Sequence, residues 1–150
     1  MKEIDLKIIQ ELQNDSRKSY REIANSIGVA TGTVCNRIKT LTDAGILKGY
    51  TTVVDPAKVG YGLTALILIQ AEGEHLVDVE EEIAKSGNVL CVYDITGDFD
   101  AAILARFKDG DRMNRFIKRL IAMPYVKRTV TSFVLNIVKE DLRGIPLIHK

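Results

Sequence analysis

The chain has 150 residues, of which 46% are hydrophobic and 27% charged, and its formal net charge is +1. That length holds one medium domain or two small ones, and no run of about 18 apolar residues is present to span a bilayer as a helix. The opening Met1-Lys2-Glu3-Ile4-Asp5 enters an amphipathic, partly acidic pattern directly, without the basic start and apolar core of a secretory signal, so a cytoplasmic protein with no membrane contact is expected.

The two cysteines, Cys35 and Cys91, have no CxxC spacing and no histidine nearby. Neither a zinc site nor a disulfide in a reducing compartment is expected from them, only two buried or half-buried thiols. Charge is unevenly placed. Between Ser16 and Thr42 lie Arg17, Lys18, Arg21, Arg37 and Lys39 against the single acid Glu22, a local excess of +4 on a chain whose remainder sums to −3. A local basic patch on a near-neutral chain is the footprint of a small module that touches phosphates.

Residues 4–14 place Leu6, Ile9 and Leu12, with Ile8 beside them, at helical spacing. Asn14-Asp15-Ser16 breaks that pattern. Ser19-Tyr20-Arg21-Glu22 is a capping box opening a second helix, whose buried stripe is Ile23, Ala24 and Ile27 and whose end is Gly28. A third helix over 31–44 carries Val34, Ile38 and Leu41 at i, i+4 and i+7, takes Thr31 as its cap, and stops at Gly45 with Ile46 placed for an apolar contact. Two short helices joined by a turn containing Gly, with another helix before them, form a helix-turn-helix layout.

Tyr50 to Val54 is rich in β-formers and is assigned as a linking strand, and the Pro- and Gly-bearing stretch 55–61 as a linker. Leu63 to Ala71 is almost wholly apolar, as in a strand covered on both faces. A helix follows over His75–Ser86, then a strand over Val89–Thr96, the turn Gly97-Asp98-Phe99-Asp100 and a strand over Ala101–Phe107. Met113, Phe116, Ile117, Leu120 and Ile121 mark a helix closed by Pro124, and Val126–Val138 a long last strand. The fold class is therefore α+β. A winged-type helix-turn-helix of three helices with its linking strand (1–54) precedes a linker (55–61), a ferredoxin-like βαββαβ domain (62–139) and a C-terminal tail (140–150). One face of that sheet is covered by its two helices. The other is apolar enough to need a second copy, so a homodimer is expected, or a tetramer or octamer built from it.

Ile4-Asp5-Leu6-Lys7-Ile8-Ile9 and Leu12-Gln13-Asn14-Asp15-Ser16-Arg17 resemble the first helix of the Lrp/AsnC regulators of bacteria and archaea. Glu22-Ile23-Ala24, Gly28-Val29, Thr33-Val34, Arg37-Ile38 and Leu41 resemble that family's helix-turn-helix. Gly45-Ile46-Leu47-Lys48-Gly49-Tyr50 resembles its exit from the recognition helix, and Gly97-Asp98-Phe99-Asp100 its ligand-domain turn. The ordered series covers essentially the whole chain. It implies a transcriptional regulator that binds double-stranded DNA and takes a small-molecule effector, here expected to be an amino acid, in a pocket between dimers; no cofactor is implied. One departure is Ala30, where the family often has Ser. Gly32 in the first turn also weakens the third helix by roughly 1 kcal/mol against Ala.

At about 100° per residue, the face opposite Val34, Ile38 and Leu41 holds Gly32, Thr33, Asn36, Lys39 and Thr40, with Arg37 on its flank and Thr31 at its start. Asn suits the edge of adenine, Arg and Lys guanine or phosphate, and Thr the thymine methyl. Thr33 and Asn36 are assigned to base edges, with Thr31 and Thr40 beside them, and Arg17, Lys18, Arg21, Arg37 and Lys39 to the DNA backbone. Cys35 is expected to pack between helices.

For the effector, Gly97, Asp98, Phe99 and Asp100 are grouped with Thr129, Thr131 and Ser132 of the last strand. Carboxylates at a turn can hold an ammonium, and hydroxyls with strand N–H groups a carboxylate, which together suit a free amino acid. A Lys118 bordering the pocket would favour a neutral or acidic effector. Two alternatives stand: a sirohaem-decarboxylase-like enzyme on the same scaffold, disfavoured because the second-domain strands carry no His and few Arg, and a DNA-coating protein without an effector.

Overall fold

A computed structural model describes residues 1–141. Two compact units emerge, one built on Met1–Val53 and the other on Val54–Val138. The tail assigned to 140–150 lies outside the described residues from position 142 onward.

The first unit holds α1 (Glu3–Asn14), α2 (Tyr20–Ile27) and α3 (Thr31–Asp43). Their shared core is Ile8, Leu12, Ile23, Ala24, Val34 and Ile38. Ile8, Ile23 and Val34 are fully buried, each worth about 1.5–3 kcal/mol of transfer free energy. At the start of α2 the Ser19 Oγ accepts the Glu22 N–H at 3.2 Å and Glu22 Oε2 accepts the Ser19 N–H at 2.7 Å, as the capping box requires. Gly28 ends the helix in the left-handed region at φ +73°, where a Cβ would be strained.

The cap of α3 differs from expectation. Ala30 occupies the N-cap and supplies no side-chain hydrogen bond, while Thr31 is already the first helical residue. At the other end Gly45 (φ +69°) turns the chain so that the Ile46 N–H reaches the Leu41 carbonyl at 2.9 Å. Leu47, not Ile46, then packs on the core, and Ile46 stays exposed. Residues 50–54 form no strand. A strand needs a neighbour for its N–H and C=O groups, and no described segment pairs with this one, which leaves Tyr50, Val53 and Val54 exposed.

The second unit runs β1 (Leu63–Ala71), a short 3₁₀ turn at Gly73–His75, α4 (Leu76–Ala84), β2 (Val89–Asp94), β3 (Ala101–Phe107), α5 (Gly110–Ile121) and β4 (Val126–Phe133). The sheet order is β2-β3-β1-β4 and every pairing is antiparallel. Strand alternation puts Ala65, Ile67, Ile69 and Ala71 on one face with Ala101, Ile103, Ala105 and Phe107, under Val79 and Ile83 of α4 and Phe116 and Leu120 of α5. The opposite face carries Leu66 across from Leu104 and Leu68 across from Ala102 and Val130. Leu66 is 48% exposed, so β1 is covered on one face only within a single chain.

β2 and β4 are shorter than their sequence patterns suggest. Beyond Asp94 the chain leaves the ladder and the Ile95 N–H closes on the Asp100 carbonyl at 2.8 Å. Beyond Phe133 a last bond from the Val134 N–H to the Thr64 carbonyl exhausts the edge of β1, so 134–138 has no partner strand to continue along.

Candidate nucleic-acid interface and effector region

The apolar stripe of α3 faces inward: Val34, Ile38 and Leu41 are buried. That orientation leaves Thr31, Gly32, Thr33, Asn36, Lys39 and Thr40 exposed on one surface. The Thr40 hydroxyl donates to the Asn36 carbonyl at 2.9 Å, so its proton serves the helix backbone. Cys35 is exposed on the same helix and not packed between helices as expected, because the core contacts fall to its neighbours Val34 and Ile38.

Arg37, assigned to the DNA backbone, is engaged within the first unit. Its Nε donates to Asp5 Oδ1 at 2.7 Å and its Nη2 to Asp5 Oδ2 at 2.9 Å, a two-pronged contact from α3 back to α1. Asp5 is 1% exposed, and its Oδ2 also accepts the Lys2 N–H at 2.7 Å. The Arg37 fork is the first cause holding the Asp5 carboxyl below the usual carboxylate range, followed by the Lys2 N–H, with burial opposing both. The reciprocal effect raises the Arg37 guanidinium further above its already high value.

Two other basic candidates are engaged as well. Lys18 pairs with Glu11, which also accepts the Ser26 hydroxyl at 2.7 Å, so this cluster ties α1 to α2. Those two contacts, Lys18 first, lower the Glu11 carboxyl against the effect of burial. Arg17 folds back on Asp15 at 3.1 Å, but its side chain remains 89% exposed, and exposed pairs of this kind hold weakly enough to exchange for a phosphate. Arg21 and Lys39 are exposed and have no polar partner among the described residues. The unencumbered surface is thus Thr33, Asn36 and Lys39 of α3 with Arg21 of α2, and Arg17, in the turn before α2, is held only by its exposed pair with Asp15.

In the second unit, Gly97 takes φ +118°, open to glycine and rarely to other residues, and Asp98 is exposed at the turn. Asp100 behaves differently. Its Oδ2 accepts the Ala71 N–H at 2.9 Å, and its own N–H donates to the Ile69 carbonyl at 2.9 Å. The Asp100 carboxylate, expected beside Asp98 as an ammonium ligand, fastens the hairpin to β1. Thr129 lies directly across β1 from Ala101, both opposite Ile69, so the turn and Thr129 share one end of the sheet.

The three hydroxyls do not form one set. Thr129 and Thr131 stand opposite Ile69 and Ile67 on the helix-covered face, while Ser132 stands opposite Leu66 on the open face. A residue outside the expected set joins the region. The Arg128 guanidinium lies over the Phe99 ring at 5.4 Å from its centroid, a cation–π contact. The dipeptide Lys127-Arg128 just ahead of Thr129 was the available signal for it. Lys118 sits in the last turn of α5 with Arg119, where cations complement the helix dipole without any ligand.

Two surface cavities lie elsewhere in this unit. One of about 230 Å³ is bounded by Val54, Pro56, Val59 and Tyr61 on one side and Leu90 and Arg106 on the other. One of about 200 Å³ lies between α4 and α5. His75 stacks on Tyr125 with ring centroids 3.6 Å apart. No described helix is long and apolar enough to cross a membrane.

Comparison with known proteins agrees with this geometry. A family model described as winged helix-turn-helix DNA-binding matches residues 1–48, and one described as the Lrp/AsnC ligand binding domain matches residues 64–143. An uncharacterized HTH-type transcriptional regulator of Pyrococcus abyssi is 46% identical over 144 residues, covering 96% of this chain and 98% of the relative. The HTH-type transcriptional regulator FL11 of Pyrococcus horikoshii is 36% identical over 138 residues, covering 92% and 91%. Among solved structures, a transcriptional regulator of Neisseria meningitidis in complex with L-Met superposes with TM-score 0.89 at 28% identity, covering 99% of this chain and 98% of that one.

An outward-facing third helix on a helix-turn-helix, followed by a βαββαβ ligand-binding domain, defines a DNA-binding transcriptional regulator. The chain belongs to the Lrp/AsnC family.

Proposed function

We propose that this chain is an oligomeric, effector-responsive regulator that reads double-stranded DNA through the outer face of α3. The observation that carries the reading is the outward set Thr33, Asn36 and Lys39, side chains suited to base edges and phosphate, on the third helix of a helix-turn-helix. Arg21 and Arg17 add backbone contacts from the flanks. The open sheet face with Leu66, Leu68 and Leu104 favours a homodimer formed sheet to sheet, because an apolar face of this kind is stable only when covered. Such a dimer carries two recognition helices and suits a near-palindromic site with half-sites about one helical turn, or a multiple of it, apart.

The effector in this reading is a small amino acid bound at the Gly97–Asp100 end of the sheet. Asp98 offers its ammonium a free carboxylate, and Arg128 beside Phe99 offers its carboxylate a cation. The L-Met complex of the Neisseria relative supports the ligand class. A second subunit or dimer would close the site, since neither described cavity is lined by the turn, and a ligand shared that way shifts assembly only by binding one state better. The rival enzyme reading has less support, because His75 is stacked on Tyr125 and the second-unit strands carry no histidine. No cofactor enters the proposed function.

The test is binding of the purified protein to its own upstream DNA, with and without a panel of the common amino acids. Preferential binding over scrambled DNA, altered by at least one amino acid, is expected. Equal binding to both duplexes removes the regulator reading; preferential binding that no amino acid alters removes the effector and leaves a DNA-coating or constitutive role.

A further inference from the structure

Hydrophobic contacts hold a helix against a core without fixing its rotation sharply, because they are non-directional. Val34, Ile38 and Leu41 hold α3 in that way. At its N-terminal end the short turn from α2 tethers it, but Ala30 supplies no side-chain cap, and Gly32 in the first turn relaxes the backbone. The Asp5–Arg37 fork is a contact of another kind. Two parallel hydrogen bonds between planar groups fix distance, height and angle together, and this pair joins the first turn of α1 to the middle of α3 across 32 positions of sequence. Asp5 is itself held, its Oδ2 bound to the Lys2 N–H at 2.7 Å. The anchor therefore has a second hydrogen bond besides those to Arg37.

Asn36 precedes Arg37 in the chain and lies on the exposed side. With side chains reaching about 5–6 Å from a helix axis, a rotation of about 20° sweeps an Asn36 side chain by about 2 Å. That is more than a bidentate contact to a base edge tolerates.

We propose that Asp5 is a specificity-positioning residue for DNA recognition: its buried carboxylate holds Arg37, fixes the rotation and height of α3 that present Thr33 and Asn36 to base edges, and keeps Arg37 out of phosphate contact. The inference rests on α3 being the DNA-reading helix, and it assigns Arg37 a role opposite to the one its charge suggests. Phosphate ligands add affinity on every sequence alike; a positioning pair acts on the preferred sequence alone.

The experiment uses the full-length protein. A preferred duplex is first selected from a random library by the wild type. Wild type, Asp5→Asn, Arg37→Lys and Arg37→Gln are then measured on that duplex and on an unselected one across a range of salt, at a temperature where circular dichroism shows each to be folded. Asp5→Asn keeps the shape and an acceptor for Lys2, and Arg37→Lys keeps the charge, so either carries the test if the other does not fold. Asp5→Asn and Arg37→Lys are expected to lose about tenfold or more on the selected duplex, the size of one bidentate base contact. Binding of Arg37→Lys to the unselected duplex should stay within about twofold, that of Asp5→Asn should not fall, since its released Arg37 is free to meet phosphate, and Arg37→Gln should leave the salt slope unchanged. Equal losses on both duplexes, with the Arg37→Gln slope lower by about one, would make Arg37 a phosphate ligand and overturn the proposal. Wild-type affinity for the selected duplex in Asp5→Asn and Arg37→Lys would overturn it too. A wild type that selects no sequence would instead remove the DNA-reading premise, an outcome distinct from both.

Discussion

The Asp100 carboxylate accepts the Ala71 N–H at 2.9 Å, tying the β2–β3 hairpin to the end of β1. The bond separates two acids that sequence spacing had grouped. Asp98 is free at the turn, and Asp100 is a fastening within the sheet. Asp100→Ala leaves a half-buried backbone donor without its partner, which costs about 1–3 kcal/mol. The thermal midpoint of the variant should fall, while Asp98→Ala should melt like the wild type and lose effector binding. If Asp100→Ala melts normally and Asp98→Ala does not, the two roles are interchanged.

On the DNA side, Lys39 and Asn36 separate by kind of contact. Lys39→Ala should weaken binding to all duplexes alike and reduce the slope of log K against log salt by about one. Asn36→Ala should leave that slope in place and relax preference at one or two base positions. Binding curves across salt, run on a preferred site and its single-base variants, distinguish the two. An Asn36→Ala protein with unaltered preference would place the reading face elsewhere on α3.

The open sheet face yields a prediction about assembly. Leu66 and Leu104 stand opposite each other in register, with Leu68 and Val130 adjacent. A carboxylate placed there would be buried by a sheet-to-sheet dimer at a cost of several kcal/mol, because a lone ion cannot be desolvated cheaply. Leu104→Asp should therefore shift the full-length protein toward monomer in sedimentation velocity while leaving its far-UV circular dichroism intact. A variant that sediments as the wild type would mean that another surface makes the dimer.

Local chemistry was legible in the sequence; contacts across distance were not. Ser19 and Glu22 lie three apart, and their reciprocal cap follows from that spacing alone. Gly28 and Gly45 announced left-handed helix ends and adopt them. The apolar stripe of α3 and the βαββαβ order of the second unit also followed from periodicity, whereas the α5 stripe holds through Phe116 and Leu120 and leaves Ile121 exposed. Arg37 looked like part of a basic patch because its partner is 32 residues away, and charge counting is blind to a partner at that range. Strand alternation alone puts Thr129 and Thr131 on one face and Ser132 on the other, but only the register with β1 shows which of the two faces the helices cover. Residues 50–54 have the composition of a strand, but a ladder also needs a second strand, which composition cannot supply. The position of Arg128 above Phe99 depends on how β4 is placed in the sheet, which spacing along the chain does not carry.

The Asp5–Arg37 pair also fixes how the first unit responds to acid. The Asp5 carboxyl is depressed chiefly by the Arg37 fork and next by the Lys2 N–H, with burial acting the other way. A carboxylate whose folded pKa lies below its unfolded value contributes stability that is complete above the unfolded value, about 3.9 for Asp. That contribution is lost as pH falls from the unfolded value through the folded one, because the unfolded chain takes up a proton that the native state binds poorly. Glu11, lowered by Lys18 and Ser26, and Glu22, lowered by the Ser19 N–H and hydroxyl, act in the same direction. Unfolding free energy of the wild type should accordingly be flat near neutrality and drop steeply below about pH 4. Asp5→Asn cannot titrate and leaves Arg37 without its ionic partner. Its stability should be lower than wild type at pH 7, and the two curves should converge as the pH is lowered. Urea unfolding at a series of pH values, followed by far-UV circular dichroism, measures both limbs. Curves that run parallel from neutrality to the acid limit would mean that the fork contributes nothing to the folded state through its charge.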